Sequence, residues 1–117
     1  MDQDTRPPGK TTVAPDVLIE IARMTALKVS GVHSMAPVTG GVNRLFGRGA
    51  NDGVRIKIED DIVFADMYII LKSGINIRDI SRSVQQKVTR AITEMVGMDV
   101  GEVNIHIENI AYEEEEA

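Results

Sequence analysis

VRIKIEDDIVFADMYIILKSG, residues 54–74, decides how this chain folds. Val54, Ile56 and Ile58 alternate with Arg55, Lys57 and Glu59, the period of a strand with one face buried. Asp60 and Asp61 make a tight turn at the hairpin tip, because short acidic side chains tolerate turn geometry. In the run that follows, Val63, Ala65, Met67, Ile69 and Leu71 share one face. Ile62, Phe64, Asp66, Tyr68 and Ile70 share the other, which is apolar apart from Asp66 and the tip of Tyr68. Gly74 ends the second strand.

Downstream, Asn76 with Asp79 three residues on has the form of a helix N-cap. Ile77, Ile80, Val84, Val88, Ala91, Ile92 and Met95 hold a helical stripe until Gly97. Val103, Ile105 and Ile107 then alternate with Asn104, His106 and Glu108 in a last strand. Upstream, Pro15 suits the first turn of a helix and Asp16 its positive end. Leu18, Ile21, Ala22, Thr25 and Val29 give that helix one packing face, and Gly31 stops it. Val32 to Met35 is a short strand closed by Pro37, and Thr12-Val13 adds a candidate leading strand. The predicted order is β-α-β-β-β-α-β, an α+β two-layer sandwich with both helices on one face of a mostly antiparallel sheet. The core expected from this arrangement sets Ile80, Val84, Val88 and Ile92 against Ile56, Ile58, Ile105 and Ile107.

The domain spans residues 12–111, with a disordered segment at 1–11 and an acidic tail at 112–117. A glycine-rich loop, TGGVNRLFGRGANDG, occupies 39–53. It matches no phosphate-binding pattern, and no strong helix begins at its end. Its glycines supply turns and mobility, and the loop is expected to be dispensable for folding. A partner-contact role would fall on Arg44, Leu45, Phe46 and Arg48. These hold too few basic residues for lipid recognition, which gathers about four to eight.

Composition narrows the functional classes. The 117 residues make one small domain with 43% hydrophobic residues and only 3% aromatics. The net charge of −5 argues against sequence-independent nucleic-acid binding by the domain as a whole, so nucleic acid is not expected as a partner. Too few aromatics are present for base stacking, so an RNA-binding reading is disfavoured. Cysteine is absent, which excludes disulfides and thiolate metal sites. The polar N-terminus lacks the apolar stretch of a signal peptide, and no run suits a membrane span. A soluble cytoplasmic protein is expected.

No residue set carries catalytic chemistry. Gly9-Lys10-Thr11 ends like a phosphate loop but lacks the earlier glycine and the preceding strand. Glu59, Asp60 and Asp61 sit at a solvated tip, where nothing separates their pKa values. His33 and His106 lie on separate strands, without the further ligands a metal needs. Ser34 beside His33 lies outside any nucleophile pattern, and neighbouring strand side chains point to opposite faces. Arg78 and Arg82, one turn apart, form a solvated helix face. The candidate site is therefore an interaction surface. Ile62, Phe64, Tyr68 and Ile70 project from the face the helices leave open, flanked by Arg55, Lys57, Asn104 and His106. An apolar patch rimmed by polar groups marks an interface, so self-association is expected, with Phe64 and Tyr68 as anchors and charge pairs setting the register. Leu45 and Phe46 folding back over this face is the alternative.

Three segments together carry a resemblance: VLIEIARMTALKVSGVHSM (17–35), DGVRIKIEDDIVFADMYIILKSGINI (52–77) and VQQKVTRAITEMVGMDVGEVNIHIENI (84–110). Their order and spacing resemble the alkaline-shock, or envelope stress response, protein family of mainly Gram-positive bacteria, over about residues 12–111. The chain departs from that pattern at Ala14-Pro15, where a helix-capping serine is common. The resemblance implies a non-enzymatic cytoplasmic protein of cell-envelope stress and homeostasis, without cofactor. It implies recruitment to the inner face of the membrane by a small membrane-anchored partner. Some relatives are tied to fatty-acid metabolism, so a regulatory module for an enzyme of lipid synthesis is the alternative function.

Overall fold

A computed structural model describes residues 8–9, 11–37 and 53–112. Six elements follow one another: α1 (Pro15–Leu27), β1 (Val32–Met35), β2 (Val54–Glu59), β3 (Ile62–Lys72), α2 (Ile77–Val96) and β4 (Asp99–Ala111). From α1 onward this is the expected order. The leading strand expected at Thr12-Val13 is not formed: residues 11–14 run without a ladder into α1, while Val13 packs against the core. Pro15 dictates this approach, because it fixes φ at the first helical position and holds Ala14 extended at φ −68°, ψ 143°.

β3 is the central strand. β1 and β2 both lie antiparallel on the same edge of it, end to end. β1 takes its C-terminal part (Val32↔Leu71, Met35↔Ile69) and β2 its N-terminal part (Val54↔Met67 to Glu59↔Ile62). Tyr68 bridges the two, donating its N–H to the Gly53 carbonyl and accepting from the Ala36 N–H, both at 2.8 Å. Residues 36 and 53 are therefore neighbours in space. The acidic turn is as expected: Asp60 and Asp61 both take left-handed φ, 53° and 64°, matching the twist of the two strands. On the other edge β4 runs parallel to β3 from Ile62↔Asp99 to Lys72↔Ala111. Two of the three pairings are thus antiparallel. The third is parallel because α2 carries the chain back across the sheet, the crossover that parallel pairing requires.

α2 begins at Asn76, whose side-chain oxygen accepts the Asp79 N–H at 3.0 Å, and ends at Gly97 with φ 81°. Leu18, Met67, Ile69, Leu71, Val84, Val88 and Ile92 are fully buried between the helices and the sheet. Within the expected core, Ile58 is the exception at 37% exposed, and Ile56, Ile80, Ile105 and Ile107 are only partly buried. Ile58 faces the helices but lies beside the turn, near the end of β2, where the cover thins. Leu18, Ile19, Ala22 and Ala26 of α1 supply the burial instead.

Candidate functional site

The face of the sheet turned away from the helices carries the candidate site. Strand register assigns it row by row, since paired residues project on the same side. Arg55, Asp66 and Asn104 form the middle row, with Lys57, Phe64 and Glu102 on one side of it and Tyr68 with His106 on the other.

Asp66 is the hub. Its Oδ1 takes His106 Nε2 at 3.1 Å and the Asn104 amide at 3.3 Å. Its Oδ2 lies 3.6 Å from Arg55 Nη2. A carboxylate half-withdrawn from water on a mainly apolar strand needs such partners, because burying an unpaired charge is costly. Tyr68 lies flat on His106, ring centroids 4.5 Å apart and planes 13° apart. It is only 7% exposed and packs with Ala36 and Ile70.

Phe64 occupies the other end beside half-buried Ile62. A Cβ on Gly101 would stand 2.5 Å from the Phe64 ring, so the ring covers the backbone of β4 where a side chain is missing. Aromatic cover of a strand glycine is a known stabilising arrangement. A concavity of about 650 Å3 opens beside Phe64, bordered by Arg55, Lys57, Glu59, Asp66 and Glu102.

The predicted face is therefore assembled, with Ile62, Phe64, Tyr68 and Ile70 together on it. Its character differs from the expectation: a polar row divides two apolar ends, and Tyr68 is already covered. Alternation had shown Arg55, Asn104 and His106 near this face. What it missed was their convergence on Asp66, which depends on register between strands far apart in sequence. Arg44, Leu45, Phe46 and Arg48 lie outside the described residues, as does the alternative that Leu45 and Phe46 cover the sheet.

Asp66 and His106 form a carboxylate–imidazole pair, and Asp66 shares its carboxylate with the Asn104 amide and the Arg55 guanidinium. Among the described residues no cluster of three or more His, Cys, Asp or Glu could hold a metal. His33 Nδ1 lies 2.9 Å from Ser34 Oγ. Regular alternation would separate these neighbours; the register shift between Val32 and Ser34 brings them together. No described helix is long and apolar enough to cross a membrane.

Comparison with known proteins adds relatives along almost the whole chain. The model of the alkaline-shock protein family, described as having a cell envelope-related function, matches residues 3–112. The uncharacterized protein YqhY of Bacillus subtilis (strain 168) is 31% identical over 115 residues, covering 97% of this chain and 85% of that protein. The uncharacterized protein Spy1535 of Streptococcus pyogenes serotype M6 is 31% identical over 108 residues, covering 90% and 81%. Among solved structures, the chain titled MamM-CTD 215-293 superposes with a TM-score of 0.52 at 12% identity, covering 82% of this chain and 99% of that one. At that identity the likeness concerns the fold alone.

Proposed function

Because this chain belongs to the alkaline-shock protein family, whose function is cell envelope-related, we propose that it is a non-enzymatic protein of envelope homeostasis, acting through contacts made by its open sheet face. The observation that carries this reading is the face itself. Phe64 and Ile62 stay partly exposed beside the charged groups Arg55, Lys57, Asp66 and Glu102, the pattern of an apolar centre with a polar rim.

The partner proposed for this face is a second copy of the chain. Phe64 is its anchor, and Arg55, Lys57 and Glu102 around it supply charges of both signs that can pair between copies and set the register. Tyr68 supports the contact from below, since it is already stacked on His106. Recruitment to the inner face of the membrane by a small membrane-anchored protein completes the reading, with the chain itself peripheral. Light scattering on the wild type and on Phe64→Glu tests the contact. Association at tens of micromolar that Phe64→Glu diminishes is the expected result. A monomeric wild type, or an assembly indifferent to the substitution, overturns it.

A further inference from the structure

The outer edge of β4 is a second surface, distinct from the open face. Among the described residues β4 pairs only with β3. Register shifts at Gly101 and at Glu108 interrupt it, leaving a regular stretch from Glu102 to Ile107. Bulges blunt a sheet edge, so this stretch is the part of β4 able to accept a further strand.

The direction of its backbone groups follows from Tyr68. That residue turns its N–H and C=O toward Gly53 and Ala36, so even-numbered positions of β3 address β1 and β2. Odd-numbered positions then address β4 and bond Glu102, Asn104 and His106, which turns the N–H and C=O of Val103, Ile105 and Ile107 outward. Gln85 agrees with this direction: from α2, its Nε2 reaches the Val103 carbonyl at 3.0 Å. A carbonyl has two lone pairs, so Gln85 and an added strand can share it.

We propose that this edge is a strand-addition site whose occupant is β4 of a second copy, paired antiparallel about a two-fold axis through Asn104. Directly opposite residues must share a face, and hydrogen-bonded pairs must come from the outward set. Pairing about Asn104 meets both conditions. Val103 of each copy exchanges both backbone bonds with Ile105 of the other on the helix side. On the open face Glu102 stands opposite His106 of the second copy, and Asn104 stands opposite its own equivalent. Moving the axis to Ile105 sets Glu102 against Glu108, a pair of like charges. Moving it to Val103 runs the pairing into the bulge at Gly101. The like charges and the bulge together select one register.

The chain has no cysteine, so a single introduced thiol reports the register directly. At a non-hydrogen-bonded antiparallel pair the Cα atoms are about 4.5 Å apart, inside the roughly 4.4–6.8 Å a disulfide spans. Under mild oxidation Asn104→Cys should form a disulfide-linked dimer roughly tenfold faster than Glu108→Cys or Thr93→Cys, because only position 104 meets its own equivalent. Adding Phe64→Glu to Asn104→Cys separates this edge from the open face: crosslinking should persist. Ile105→Pro removes one outward N–H and no bond to β3. Placed in the Phe64→Glu background, it should keep a native circular dichroism spectrum while the remaining dimer is lost in sedimentation. The proposal is overturned if position 104 crosslinks no faster than the controls, if Phe64→Glu removes the crosslink, or if the natively folded Ile105→Pro variant associates like its Phe64→Glu parent.

Discussion

Asp60 and Asp61 form the turn of the central hairpin with both residues in the left-handed region, which glycine enters freely and which Asp tolerates only at a residual cost. They also stand beside Glu59, so three carboxylates crowd one tip. Replacing the pair by Asn-Gly keeps the geometry and removes both penalties. The double variant should gain about 0.5–1 kcal/mol in chemical denaturation. Gly53 makes the opposite case. Its φ is 73°, and an added Cβ would stand 2.4 Å from the Ala36 carbonyl and 2.7 Å from that of Tyr68. These are backbone atoms and cannot swing aside. Gly53→Ala should cost about 1–3 kcal/mol, visible as a lower denaturation midpoint.

At the scale of elements, burial separates side chains that look equivalent in sequence. Ile92 is fully buried and Ile58 is 37% exposed, yet both fall on apolar stripes. Ile92→Ala should cost about 2–5 kcal/mol through lost burial and a cavity, and Ile58→Ala well under half of that; equal losses would show the end of β2 to be as closely covered as its middle. The sequence made the elements legible because their periods are local. Asn76, Gly97 and the alternation of β2 and β3 each act within a few residues. It left the neighbour relations open, since alternation is the same whether a strand pairs parallel or antiparallel. So the parallel seating of β4, the sharing of one β3 edge by β1 and β2, and the gathering of Arg55, Asn104 and His106 around Asp66 needed coordinates. The ends of stripes misled for a related reason: Met95 keeps the helical period of α2 yet is 70% exposed.

For the whole molecule, the neighbouring positions of residues 36 and 53 have a direct consequence. Both bond Tyr68, so a connection of any moderate length can close between them. Loop-closure entropy changes slowly with length, by about 0.6 kcal/mol per doubling. Replacing residues 40–50 with a short Gly-Ser linker should therefore leave the thermal midpoint within a few degrees of the wild type. A collapse of the midpoint would assign Leu45 and Phe46 to the core.

The parallel place of β4 also bears on how the chain comes off the ribosome. β2 and β3 are adjacent in sequence and can meet as soon as both emerge. β4 follows the other described elements, and it reaches β3 only after the whole of α2 has crossed the sheet. Until residue 111 is free, one full edge of the central strand is unpaired, with Val63, Met67 and Ile69 only partly covered. Non-local parallel pairing is the slow kind of step, gated by closing a long loop. Synthesis thus leaves this flank open until β4 has emerged, and nascent chains stalled before Asp99 expose it.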